Sequence, residues 1–155
     1  MTHGMSMDNE PYRVLTHSQA VAEIKRLCEP HVRAAYTECK LPHGKIADVL
    51  VIAHDLDVII FEVKTEYRPS LELSAIRKYS HYADWLALVV PGLRRSEVML
   101  APQDVQGYVA TLGLGLYSVE WARVKCIREP KHHRMLAENR TRLFNLLGFT
   151  YGDVP

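Results

Sequence analysis

Ile46-Ala47-Asp48-Val49-Leu50-Val51-Ile52 and Val58-Ile59-Ile60-Phe61-Glu62-Val63-Lys64 are two β-branched runs joined through the polar connection His54-Asp55-Leu56-Asp57. Both read as strands of a sheet, and the connection has the length of a hairpin. Each run nevertheless carries ionisable groups, and acids and lysines are rarely buried unless paired. Side chains alternate across a strand, so Glu62 and Lys64 project from one face and Val63 from the other. Pairing of the two runs brings Asp48 beside Glu62. Carboxylates that close repel one another unless a cation sits between them.

Hard oxygen ligands of this kind suit Mg²⁺ or Mn²⁺, with the Val63 backbone carbonyl as a further ligand. Such an ion acidifies a bound water and stabilises charge on a phosphate under attack. Lys64 would orient that water or steady the developing charge. Residue by residue, the plainer reading is a buried ion pair between Lys64 and one acid. Three such groups on two adjacent strands favour a shared metal site.

Outward from these runs, Ser18 reads as a helix N-cap. Ala20, Val21, Ile24, Leu27 and Cys28 follow with helical spacing, and Pro30 stops the helix near Cys28. Val32 to Leu41 reads as a strand closed by Pro42-His43-Gly44. The paired strands extend over Ile46 to Ala53 and Val58 to Thr65. Pro69-Ser70 opens a second helix through Tyr82, and Trp85 to Val90 is a continuous apolar strand ended by Pro91. A third helix is expected over Ala101 to Leu112, strands over Leu114 to Val119 and Ala122 to Ile127, and a last helix over His133 to Leu147. The order predicts an α/β domain with a mixed sheet.

The 155 residues are 48% hydrophobic, enough for one domain with a sizeable core. We expect a loose leader over residues 1–12 and a single domain over 13–155. No apolar stretch approaches the ~20 residues of a spanning helix, so no membrane partner is expected. Three cysteines without CxxC spacing suit a reducing cytoplasm better than a disulfide framework or zinc ribbon. A net charge of +1 gives no global attraction to nucleic acid.

Asp48, followed by Glu62-Val63-Lys64 on the next strand, resembles the PD-(D/E)xK nuclease superfamily, with Ala47 in the place of its proline. That resemblance implies a restriction-endonuclease-like fold, a three-layer α/β/α core whose order is helix, three strands, helix, strand. It further implies that Asp48, Glu62 and Lys64 are catalytic. Many members add a glutamate from the first helix, as Holliday-junction resolvases do; Glu23 falls at that place, and Glu38 on the first strand is a rival. Lys45-Ile46-Ala47-Asp48, Phe61 to Thr65, Tyr79 and Tyr82-Ala83-Asp84-Trp85 are similar to small bacterial DNA-repair proteins of this fold. The helix after the (D/E)xK strand often lends a side chain to the site, and Lys78 and Tyr79 are the candidates. For Tyr79, core packing is the plainer role.

Trp121 to Arg142 contains seven Lys/Arg against two acids, Glu129 and Glu138. Arg123, Lys125 and Arg128 from this stretch, with Arg94, Arg95, Lys45 and Lys78, are candidate DNA contacts. A run of charge is also what a solvated face looks like. His132 and His133, adjacent in sequence, cannot chelate one metal from a helix, and His43 reads as a loop residue.

The expectation is a Mg²⁺- or Mn²⁺-dependent nuclease that hydrolyses DNA phosphodiesters in repair, recombination or the processing of phage or defence DNA. It has DNA as partner, a homodimer as a plausible assembly and no small-molecule cofactor. The alternative is a nuclease-fold module that binds DNA with little or no catalysis. An RNA-processing enzyme would use the same chemistry.

Overall fold

Thr16, not Ser18, starts the first helix. In the computed structural model, which describes residues 14–67, 76–100, 106, 109–110 and 112–149, the Thr16 hydroxyl accepts from the Gln19 amide at 3.2 Å. The Gln19 side chain accepts from the Thr16 amide at 2.9 Å. This reciprocal capping box opens α1 (His17–Cys28) and is worth about 1 kcal/mol. Pro30 follows within a single 3-10 turn, Glu29–His31, and the helix stops where the sequence predicts.

Six strands follow: β1 (Ala34–Lys40), β2 (Ile46–Ile52), β3 (Val58–Val63), β4 (Trp85–Pro91), β5 (Gly115–Glu120) and β6 (Arg123–Arg128). They lie side by side in chain order in one sheet. β1, β2 and β3 pair antiparallel, β3, β4 and β5 parallel, and β6 returns antiparallel to β5. The α/β class and the mixed sheet are therefore as the order of elements predicts. The hairpin connection closes tightly, with the Leu56 amide bonded to the Ala53 carbonyl at 2.9 Å and Leu56 at a φ of 73°.

Two apolar clusters, one on each side of the sheet, make the fold three-layered. α1 lays Leu15, Ala20, Val21 and Ile24 against Val49, Val51, Val63, Val89 and Val119. On the opposite face Leu50, Ile52, Ile60, Leu88 and Leu116 pack against Ile76, Leu143 and Phe144. The last two belong to α3 (Ala137–Leu147), which the short α2 (Arg95–Met99) precedes in the chain. Every residue of β4 from Leu86 to Val90 is buried, as a strand covered on both faces requires.

The local differences have physical causes. Only Arg77–Tyr82 of the predicted second helix is seen as an element, and it is a 3-10 helix; residues 69–75 lie outside the described residues. Much of the predicted helix over 101–112 is also outside them, with 106, 109–110 and 112 helical. The leader over 1–12 is outside as well. α2 was not foreseen, being too short to show a period. The last helix begins at Ala137 instead of His133 because Asp84 holds the preceding segment extended. The His133 amide donates to the Asp84 carbonyl at 2.7 Å, and the Met135 amide to Asp84 Oδ1 at 3.0 Å. Among the described residues no helix is long and apolar enough to cross a membrane.

Candidate active site

The β2–β3 ladder ends at Val49↔Phe61. Continued by one step, its register sets Asp48 directly opposite Glu62, and there side chains replace the main-chain rungs. The Asp48 amide donates to Glu62 Oε1 at 2.9 Å, and the Val63 amide donates to Asp48 Oδ2 at 2.8 Å. Each carboxylate thus caps an amide that the ended ladder releases, which fixes both acids at the end of the strand pair. Glu62 is buried at 4% exposure, while the Asp48 side chain keeps 15% and faces outward.

Burial pushes the Glu62 carboxyl up to about 8, and the neighbouring Asp48 charge adds to the rise. The Asp48 amide and the Lys64 ammonium act in the opposite direction without cancelling it. Lys64 is therefore within electrostatic reach of Glu62, and its own amide is tied to the Val89 carbonyl at 2.9 Å. Asp48, Glu62 and Lys64 are brought together. The donor set fits a hard divalent cation: two carboxylates in mutual repulsion, with Oδ1 of Asp48 and Oε2 of Glu62 clear of the main-chain amides. A cation there would return Glu62 to its ionised form.

Two further side chains join this group. His17, the first residue of α1, places Nε2 3.3 Å from Asp48 Oδ2. Tyr79 donates its hydroxyl to the Ile46 carbonyl at 3.0 Å. Burial, then the charges of Glu62 and Asp48, lift its pKa to about 12, so the phenol stays protonated beside the acids. The sequence reading does not single out His17, because an N-cap at Ser18 starts the helix two residues later than Thr16 does. The capping pair Thr16 and Gln19 is the signal that would have found it.

Glu23, the predicted helix glutamate, is engaged elsewhere. Its carboxylate takes two bonds from Arg26, at 2.8 and 3.0 Å, and one from the Ala122 amide at 2.6 Å. The Arg26 bond is the main reason its pKa is lowered. The β5–β6 turn, not Asp48 or Glu62, is what this acid holds. Glu38 lies across from Asp48 on β1, exposed, at a φ of 51°.

The predicted DNA contacts divide by place. Arg94, Arg95, Arg123 and Lys125 line one cleft of about 240 Å³, with Gly92, Leu93, Ser118 and Glu120. It lies at the carboxyl ends of β4 and β5, the end of the sheet at which Glu62 sits on β3. Lys45 and Lys78 are both exposed, and their backbones meet at His43, whose ring Nε2 donates to the Lys78 carbonyl at 3.1 Å and whose Nδ1 accepts from the Lys45 amide at 3.4 Å. Arg128 is half-buried at the far end of β6 and outside the cleft.

Asp57, Asp84 and His132 form a second group able to hold a metal ion, with their ligand atoms within 4.8 Å of one another. It stands at the opposite end of β3, roughly 16 Å from Glu62 at about 3.3 Å per residue. Its acids are already well supplied with donors. Asp84 Oδ2 accepts from the Val58 amide at 2.8 Å, and Oδ1 from Met135 and, at 2.7 Å, from Arg140. Asp57 Oδ2 accepts from the Trp85 indole at 2.9 Å and lies 3.4 Å from His132. Burial alone would raise the Asp84 pKa, but the bonds from Arg140, Met135 and Val58 outweigh it and leave it lowered. The Arg140 guanidinium therefore already offsets the charge of Asp84, one of the two acids of the group.

No family model and no curated protein matches the sequence. Among solved structures, the chain is similar to SPO1766, a protein of unknown function from Silicibacter pomeroyi. The TM-score is 0.66 at 16% identity, over 86% of this chain and 85% of that one. The likeness is one of fold. A repair endonuclease from Pyrococcus abyssi is also similar, at a TM-score of 0.45 and 22% identity, over 64% of this chain and 46% of that one.

Proposed function

We propose that this protein is a divalent-metal-dependent nuclease that hydrolyses DNA phosphodiesters. The observation that carries the reading is the facing pair Asp48 and Glu62, held at the end of their ladder by each other's main-chain amides, with Lys64 beside them. A pair of acids in which burial, and then repulsion, raises the pKa of one member is a poor device for stability. It is a good device for gripping Mg²⁺ or Mn²⁺. The resemblance to the PD-(D/E)xK pattern supports the same roles.

Asp48 and Glu62 would hold the metal, which when bound supplies an acidified water and offsets negative charge on the phosphate. Asp48 is the more exposed acid and faces the entering phosphate. Lys64 projects from the same face as Glu62 and donates to the nucleophile or to a non-bridging oxygen, where charge gathers as the new P–O bond forms. The ester P–O bond then breaks and the leaving oxygen takes a proton from solvent. Tyr79, neutral at all physiological pH, holds the Ile46 carbonyl and so fixes the start of β2 two residues before Asp48.

The test is cleavage of single-stranded, duplex, nicked and branched DNA with Mg²⁺ or Mn²⁺, compared with chelator. Metal-dependent cleavage of at least one form is expected, and Glu62→Ala and Lys64→Ala should each abolish it while the fold is retained. DNA binding without cleavage of any form would overturn the reading.

A further inference from the structure

The cleft beside the β5–β6 hairpin combines charge with an exposed aromatic ring. Arg94 and Arg95 reach it from the segment after β4, Arg123 and Lys125 from β6, and Glu120 is its one acid among the described residues. Arg94 also lies 3.8 Å from Glu97, yet its side chain is 83% exposed and can turn toward an anion. The hairpin itself is tight: Glu120 pairs with Arg123, leaving Trp121 and Ala122 as its tip. Trp121 is 56% exposed, between two cleft-lining residues. Single exposed apolar residues are common on protein surfaces. An exposed tryptophan on the hairpin that supplies Glu120, Arg123 and Lys125 to a cation-rich cleft is a combination that suits nucleic-acid strands, with cations on phosphates and a ring face on a base.

The backbone of the tip is also tethered. Ala122 has a φ of 61°, a left-handed conformation that costs a non-glycine residue about 1–2 kcal/mol. It is held there by the 2.6 Å bond from its amide to the buried carboxylate of Glu23, itself clamped by Arg26. This explains why a glutamate is buried in α1. The backbone next to Trp121 is thus held in place before any ligand arrives, which lowers the ordering cost of binding.

We propose that this hairpin and cleft bind an unpaired stretch of DNA strand, with Trp121 stacking on a base and the cleft cations holding the flanking phosphates. The cleft and Glu62 lie at the same end of the sheet. β3 and β5 are two strand spacings apart, about 10 Å, so a strand with its scissile phosphate at Asp48 and Glu62 continues across the hairpin. A cleft of about 240 Å³ has room for a phosphate group. A base inside a duplex is stacked on both faces and has none to offer the ring. The inference rests on the reading of DNA as substrate and deepens it by naming the form bound.

The test is fluorescence anisotropy with labelled oligothymidine and with a hairpin duplex of equal length, in chelator, so that cleavage plays no part. Wild-type protein should bind the single strand more tightly than the duplex. Trp121→Ala should weaken single-strand binding roughly tenfold, the loss of one stacked base. Trp121→Phe should restore most of it, and neither variant should change duplex binding or the melting temperature. Arg123→Ala with Lys125→Ala should lower the salt slope of single-strand binding by roughly 1.4. No binding of the single strand, or equal losses on both DNA forms with Trp121→Ala, would overturn the inference. Metal-dependent cleavage that persists alongside such a result leaves the nuclease reading standing, and tight Trp121-dependent binding without cleavage separates the two in the other direction.

Discussion

The Asp48 amide donates to Glu62 Oε1 at 2.9 Å, in the rung where an antiparallel ladder would use a carbonyl. The reciprocal bond, from the Val63 amide to Asp48 Oδ2 at 2.8 Å, makes the two acids each other's scaffold. Their position therefore depends on the end of the ladder and on both side chains, and it is sensitive to the charge on either.

Glu62 makes metal-free stability fall as pH rises. Its folded pKa is raised from the usual 4.5 to about 8, so the folded state binds the proton more tightly than the unfolded chain. The contribution is complete below the unfolded value and lost as pH climbs through the folded one. Melting temperature in chelator should decline between about pH 5 and 8, and Glu62→Gln should flatten that decline. An unchanged slope in the variant would mean that another group titrates.

Mg²⁺ or Mn²⁺ should raise the melting temperature more at about pH 8 than at about pH 6, because binding requires the deprotonated carboxylate. Glu62→Gln and Asp48→Asn should each remove most of the metal effect. If instead His132→Ala removes it, the ion occupies the Asp57, Asp84 and His132 group.

Glu23→Gln separates a structural role from a ligand role. The neutral amide keeps the shape but weakens the bonds to Arg26 and Ala122. Loss of about 1–3 kcal/mol of stability is expected, in the range for a bond to a charged group. The metal-dependent rise in melting temperature should remain, and its disappearance would make Glu23 a ligand after all.

Arg140→Ala should be the most damaging of these substitutions, at about 3–5 kcal/mol, because it leaves the buried Asp84 carboxylate without its cation. Denaturant unfolding should show the loss, and Asp84→Asn combined with Arg140→Ala should recover part of it. A loss under about 1 kcal/mol would show that the amides of Val58 and Met135 suffice to hold the charge.

Tyr79→Phe should leave folding intact and reduce any cleavage by roughly tenfold or less, since the hydroxyl positions Ile46 without touching the reacting atoms. A larger loss, or one that changes with pH near neutrality, would assign the phenol a direct role.

Much of the fold was legible because its signals are local. Val49 to Ile52, Val58 to Ile60 and Leu86 to Val90 are apolar runs of strand length bounded by turn residues, and the site acids stood out because they interrupt such runs. The ends of elements were less legible, because they depend on partners distant in sequence. Asp84 delays the start of α3 by bonding His133 and Met135, and no reading of the 133–147 window contains that acid. Pro91, read as the end of a strand, is its last residue, because a proline at that position loses only a donor the ladder no longer needs.

Periodicity and hairpin length in the sequence suffice to put Asp48 and Glu62 on adjacent strands of a mixed α/β sheet, with Lys64 just past the end of the second. The tertiary structure decided which other groups join them. It brought in His17 and Tyr79, turned Glu23 toward Ala122, and gathered Arg94, Arg95, Arg123 and Lys125 into one cleft. The reason is physical: strand pairing follows from neighbours along the chain, whereas the direction of a long polar side chain is set by whichever unpaired charge or amide packing brings within reach.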